Sequence, residues 1–260
     1  MIRLNANLSM LFTEHAFLER FGAAASAGFR GVEYLFPYDF AIDDIRQRLD
    51  DHGLRQVLFN LPAGDWVNGD RGIACDPARI GEFRESIDKA IEYAQGLGCE
   101  QCNVLAGIRP ADCDEHLAHE TFVANLHHAA TRFGEAGLRL MVEAINTRDI
   151  PGFFLNRSAQ AIRILDEVGC DNLFFQYDIY HMQVMEGNLA ETIANLLPRI
   201  GHMQLADNPG RHEPGTGEIN YRFLFDHIDR LGYQGWIGCE YVPAITTDEG
   251  LGWMRLHGVA

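Results

Sequence analysis

Eight short apolar runs alternate with longer amphipathic segments along the whole chain, and no other feature of the sequence restricts the fold as much. The strand-like runs are Ile2–Leu8, Gly31–Leu35, Gln56–Asn60, Gln101–Ala106, Leu138–Glu143, Leu173–Asp178, Ile200–Ala206 and Gly235–Tyr241. Between them, apolar residues recur three and four apart in Ala16–Ala27, Ile42–His52, Ala78–Leu97, His116–Ala136, Ser158–Val168, Leu189–Leu197 and Arg222–Leu231, with a last segment over Thr247–His257. Many of these segments end at a glycine, as in His52-Gly53 and Leu97-Gly98, where a left-handed cap residue is wanted. Strict alternation means parallel strands joined by helical crossovers, and eight units close a (β/α)8 barrel. An open doubly wound sheet would carry a GxGxxG after its first strand, and there is none. With no linker or composition break, the expectation is an α/β fold: one TIM barrel domain over residues 1–260.

The strand-to-helix connections are long (Leu61–Asp76, Gly107–Asp114, Ala144–Asn156 and Asp207–Asn220), whereas the returns are short. Long loops of that kind build the working mouth at the carboxyl end of a barrel. Four otherwise apolar strands, the fifth to the eighth, finish there with a potential metal ligand: Glu143, Asp178, Gln204 and Glu240. A single acid at a strand end is commonly a helix cap or salt-bridge partner. Three carboxylates converging in a dry mouth repel one another unless a cation or protons compensate. An oxygen-rich set suits Mg²⁺ or Mn²⁺ better than zinc or copper.

His181, three residues after Asp178, enters the same mouth. His202 shares the inward face with Gln204 and is read as a deeper layer residue. Arg211 lies on the long seventh loop, where its guanidinium can fork onto an anion. The nearby Gly215 and Gly217 are read as turn chemistry. A divalent ion that polarises a carbonyl and its neighbouring hydroxyl acidifies the carbon between them, and two carboxyl groups flanking it can shuttle the proton. That describes isomerisation or epimerisation of a small α-hydroxycarbonyl compound.

Composition removes several rivals. The formal net charge of −16 opposes nucleic-acid binding and basic attachment to a membrane surface. No apolar run spans a bilayer, and the N-terminus lacks a signal-peptide pattern. The six cysteines read as reduced, small core residues of a cytoplasmic protein, Cys99 and Cys102 included. Lys89 is the single lysine and lies in a helical segment, so Schiff-base chemistry and a Walker phosphate loop are both unavailable.

The segments NLSMLF, FPYDF, FNLPAGDW, NGDRGIACDP, EAINTRDIPGFFL, QYDIYHMQ, ADNPGRHEPGTGEINY and GWIGCEY together resemble the hydroxypyruvate isomerase family of xylose-isomerase-like barrels, over nearly the full chain. The resemblance implies metal-assisted conversion of hydroxypyruvate to 2-hydroxy-3-oxopropanoate. Glu143 and Glu240 would be the acid/base pair and also ligands, with Asp178 and Gln204 completing the metal site. Related ketose 3-epimerases carry histidine where Gln204 stands, which favours a hard metal here. Asp149, His181 and Arg211 match positions that hold substrate oxygens, Asp149 being shorter than the usual glutamate. The substrate carboxylate would be held by Arg211, or by Arg71 or Arg109. The sister activity, 2-oxo-tetronate isomerase, shares several of these segments. Other readings are an endonuclease, disfavoured by charge and by few strand-end histidines, and a non-catalytic sugar-acid binding barrel, which has no reason to collect the four ligands. The partner is thus a small hydroxy-oxo acid, and the pattern leaves a homo-oligomer open.

Overall fold

In the computed structural model, which describes residues 2–258, eight parallel strands form a barrel with helices outside it. Met1, Val259 and Ala260 of the expected 1–260 domain lie outside the described residues. The strands are β1 (Arg3–Asn7), β2 (Gly31–Glu33), β3 (Arg55–Leu58), β4 (Gln101–Val104), β5 (Arg139–Glu143), β6 (Leu173–Asp178), β7 (Ile200–Leu205) and β8 (Trp236–Cys239). Their hydrogen-bonded order runs β3-β2-β1-β8-β7-β6-β5-β4. The ring closes just beyond the end of β3, where Asn103 N–H donates to the Phe59 carbonyl at 3.0 Å and Leu61 N–H to the Asn103 carbonyl at 2.9 Å.

The helices are α1 (Arg20–Ser26), α2 (Ile42–His52), α3 (Ile80–Leu97), α4 (Glu115–Glu135), α5 (Ser158–Val168), α6 (Ile179–Met185), α7 (Leu189–Leu196), α8 (Tyr221–Arg230), α9 (Thr247–Gly250) and α10 (Gly252–His257). In α5 the residues Ala161, Ile164, Leu165 and Val168 form the buried stripe, and in α8 Tyr221, Leu224, Phe225 and Ile228 do so. These stripes lie on the outward strand faces, where Leu140, Val142, Phe175, Met203 and Ile237 are fully buried, so the main core is the layer between barrel and helices. Gly53 and Gly98 end α2 and α3 with φ of 62° and 64°, as their caps require.

The sequence reading assigns no element to the residues just after Asp178, which form α6 in the structure, and the single last segment Thr247–His257 is two short helices, α9 and α10. Asp178 starts α6 by accepting from the Tyr180 and His181 backbone N–H groups at 2.7 and 3.2 Å, which turns the chain sharply and brings His181 back over the mouth. Cys99 and Cys102 are buried, as expected of core residues, and all six cysteines are free thiols. Among the described residues no helix is long and apolar enough to cross a membrane.

Candidate active site

Strand alternation sends Met141 and Glu143, Gln176 and Asp178, and His202 and Gln204 into the barrel, so the carboxyl ends of β5 to β8 deliver polar groups to one mouth. Glu143 is buried. Its Oε2 accepts from Asn103 Nδ2 at 3.1 Å and from Gln176 Nε2 at 3.0 Å, while Oε1 faces His181 Nε2 at 3.7 Å. Glu240, one residue past β8, accepts from Asn7 Nδ2 at 3.3 Å on Oε1 and pairs with Arg211 at 3.0 Å through Oε2. Asp178 Oδ1 caps α6. Its Oδ2 is buried, has no hydrogen-bond partner among the described residues, and lies 3.6 Å from His181 Nε2 and 3.9 Å from Arg211.

Burial and mutual repulsion set the charge state of this cluster. Burial, then the Glu240 and Asp178 carboxylates, hold the Glu143 carboxyl well above the ordinary range. Burial raises Glu240 to about 8 even though the adjacent Arg211 guanidinium pulls the other way. Buried carboxyls whose charged forms are disfavoured in this way mark a site short of positive charge.

His181 is neutral, since burial lowers it to about 4. Its tautomer follows from Asn146. The Asn146 amide is oriented by the Arg148 and Asp149 backbone N–H groups, which donate to its Oδ1 at 3.0 and 2.8 Å, so Nδ2 donates to His181 Nδ1 at 2.7 Å. A neutral imidazole that accepts at Nδ1 carries its proton on Nε2, and that N–H points at Glu143 and Asp178.

Arg211 sits at a φ of 57°, a left-handed conformation that costs a side-chain-bearing residue about 1–2 kcal/mol. The strained turn aims the guanidinium at Glu240 and stacks it over the Tyr180 ring at 5.3 Å. Asp207 holds that loop: its Oδ2 accepts from the N–H groups of Gly215 and Gly217 at 2.8 and 2.9 Å. The two glycines are turn chemistry, as read. Arg71 instead donates to the carbonyls of Trp66 and Asp70, and Arg109 to that of Cys113, within their own loops.

Two expected site residues are placed differently from the others. Asp149 is exposed at the rim, where its Oδ2 accepts from Tyr180 Oη at 2.9 Å and Asn146 Nδ2 at 3.1 Å; it supports the His181 side of the mouth without meeting the carboxylates. Gln204 lies deeper. Its Oε1 accepts from Gln176 Nε2 at 2.6 Å and its Nε2 donates to Glu33 Oε1 at 2.8 Å, leaving one lone pair on Oε1. Among the described residues, Glu143, Asp178 and His181 form a group whose ligand atoms all lie within 4.8 Å of one another. The Asn146-fixed proton on His181 Nε2 favours the carboxylates over the imidazole as donors. The unpartnered Asp178 Oδ2 beside the Glu143 carboxylate fits a hard divalent cation, while Glu240, expected as a further ligand, lies outside that group.

Sequence reasoning missed the polar layer underneath. Glu33, wholly buried at the end of β2, accepts from Asn5 Nδ2, His202 Nε2 and Gln204 Nε2, each at 2.8 Å, and from Asn7 Nδ2 at 3.1 Å. Burial pushes Glu33 up, but His202 and these amides outweigh it and hold the carboxyl low. Glycine at 238 makes room, since a Cβ there would stand 2.3 Å from Glu33 Oε1. The signal was partial, because Glu33 is a lone acid inside the apolar run Gly31–Leu35, whereas Glu143 stands at the end of its run. His202 is the deeper layer residue it was read to be.

Comparison with known proteins agrees with this architecture. The model of the family described as xylose isomerase-like TIM barrel matches residues 21–257. The chain is 52% identical to hydroxypyruvate isomerase of Escherichia coli (strain K12) over 254 residues, which cover 98% of each chain. It is 49% identical to 2-oxo-tetronate isomerase of Cupriavidus necator over 255 residues, again 98% of each. A crystal structure from Brucella melitensis, described as an AP endonuclease of family 2, superposes with a TM-score of 0.96 at 44% identity, covering 98% of this chain and 99% of that one.

Proposed function

The chain belongs to the xylose isomerase-like TIM barrel family, and from that premise we propose that it is an isomerase converting hydroxypyruvate to 2-hydroxy-3-oxopropanoate. The observation that carries this reading is the pair Glu143 and Glu240, three strands apart around one mouth, each oriented by buried amide or guanidinium donors. Glu143, Asp178 and Glu240, with the free lone pair of Gln204, would hold Mg²⁺ or Mn²⁺, which supplies the missing positive charge and acidifies the carbon beside the substrate carbonyl.

One glutamate, ionised, takes the proton from the hydroxymethyl carbon. The electron pair moves into the carbon–carbon bond to give an enediolate, and the hydroxyl proton passes to the former carbonyl oxygen. The other glutamate, protonated, delivers a proton to the former carbonyl carbon, so no atom is gained or lost. Arg211 forks onto the substrate carboxylate and offsets the repulsion from a chain of net charge −16. His181 donates from Nε2 to a substrate oxygen, and Asp149 keeps Tyr180 and Asn146 in place behind it.

The four-carbon oxo acid of the Cupriavidus relative is the second reading, favoured by its near-equal identity. The two acids differ by one hydroxylated carbon, a difference that a single loop residue able or unable to hydrogen-bond the extra hydroxyl can decide. The description of the Brucella structure raises nucleic acid as a substrate. Such a substrate needs a basic rim, and the excess of acids over bases speaks against it. The six free thiols are in keeping with a cytoplasmic protein.

Proton NMR in heavy water decides the matter. Hydroxypyruvate and 2-oxo-tetronate are followed separately with Mg²⁺ or Mn²⁺ and with a chelator. Metal-dependent appearance of the semialdehyde is expected from hydroxypyruvate. Turnover of the four-carbon acid alone would move the assignment to the second reading. Silence with both substrates under either metal would reject the isomerase.

A further inference from the structure

The end of the barrel opposite the mouth holds a cavity of about 540 Å³ that the chemistry above does not use. Its lining includes Arg3, Arg55 and Arg139, the first residues of β1, β3 and β5, together with Glu100, Gln56 and Trp236. Alternation points the arginines toward the axis. Arg3 shares a face with Asn5 and Asn7, and Arg139 with Met141 and Glu143. Arg55 lies two residues before Val57, whose Cγ2 faces the barrel interior beside Gly31 and Asn5. Arg139 and Glu143 sit at opposite ends of β5, separated by on the order of 13 Å of strand.

Three guanidiniums face one carboxylate here, an excess of positive charge in a strongly acidic chain. Arg55 pairs with Glu100 at 2.6 Å, and both are largely exposed. Arg3 and Arg139 have no carboxylate partner among the described residues. Each lies instead over an aromatic ring, Arg3 over Trp236 at 5.2 Å and Arg139 over Phe174 at 5.8 Å. Stacking uses the face of a guanidinium and leaves its in-plane N–H donors available. Arg139 spends one of these on Gln101 Oε1 at 2.6 Å. Forked donors held by aromatic walls, in a cavity of ligand size, suit a small anion with several oxygens.

We propose that the amino-terminal end of the barrel binds a small multiply charged oxyanion, a phosphate or a polycarboxylate, at Arg3, Arg55 and Arg139. The site is independent of the reaction at the mouth. Isothermal titration calorimetry on the full-length, Mg²⁺-loaded protein tests it, with inorganic phosphate and succinate added separately at constant ionic strength set by chloride. Saturable one-to-one binding is expected, with a Kd of about a millimolar or tighter. The double substitution Arg3→Gln, Arg139→Gln should weaken it at least about tenfold, while Arg211→Gln at the mouth leaves it within about twofold.

Binding of phosphate alone, or of succinate alone, supports the site and identifies which oxyanion it takes. No saturable heat with either anion overturns it. So does binding that persists in the double variant, or that disappears with Arg211→Gln and therefore belongs to the mouth. Circular dichroism and the melting temperature report the fold of each variant, and should the double variant fail to fold, the single Arg55→Gln and Arg139→Gln changes carry the same comparison.

Discussion

Glu240 and Glu143 differ from ordinary carboxyls because burial denies them charge. Glu143→Gln and Glu240→Gln keep shape and burial but remove the group that exchanges a proton, so each should lower kcat by about two orders of magnitude or more, with the melting temperature preserved. Near-normal kcat in either variant would remove that glutamate from the acid/base pair. The same residues predict a pH response of the metal-free protein. A carboxyl raised from 4.5 to about 8 binds a proton in the folded state that the unfolded chain has released, so stability falls as pH rises through that window. His181, lowered from 6.5 to about 4, works in the opposite direction but only below 6.5. Between pH 6.5 and 8 the Glu240 effect is unopposed by His181. In the presence of a chelator the melting temperature should therefore decline over that interval, and Glu240→Gln should flatten the decline. A level wild-type curve would contradict the charge state assigned to the cluster.

The elements that carry these residues were legible to different degrees. Eight strands, the helices between them and the polar strand ends follow from periodicity, because one inward face repeats every second residue from β5 to β8. α6 was not legible: it is short and largely buried, so it offers no amphipathic stripe, and Tyr180 and His181 fall in none of the assigned segments. The depth of Gln204 was hidden for another reason. An amide can face a metal or two neighbours equally well, and its choice depended on Gln176 and on Glu33, a residue overlooked in the third element of the chain. The seventh loop shows how an element can govern the site from a distance. A Cβ at Gly217 would stand 2.2 Å from the Asn208 carbonyl oxygen and 2.7 Å from Asp207 Oδ1, so alanine there must displace the loop that carries Arg211. Gly217→Ala should cost about 1–3 kcal/mol and raise KM more than it lowers kcat. Thermal melts and steady-state kinetics check both, and an unchanged KM would detach the loop geometry from substrate binding.

As a whole the molecule divides its polar groups between the two ends of one ring. Carboxylates gather where the strands finish and guanidiniums where three of them begin, with the Glu33–His202 layer buried between. The ring itself is not uniform. Seven neighbouring pairs are laddered, whereas β3 and β4 are tied only near the mouth, through Phe59, Leu61 and Asn103. Below that tie the Leu58 carbonyl accepts from the Gln56 side chain, an internal bond that stands in for a neighbour's amide. Such a ring should breathe in a defined direction. Amides of residues 55–58 and 101–102 should exchange with solvent deuterium sooner than those of β6 and β7, and peptide-resolved exchange would show it. Equal protection around the ring would contradict this. The asymmetry means that the barrel parts from the bottom while Asn103, which also holds Glu143, stays fastened, so thermal fluctuation is vented through the end where no chemistry takes place.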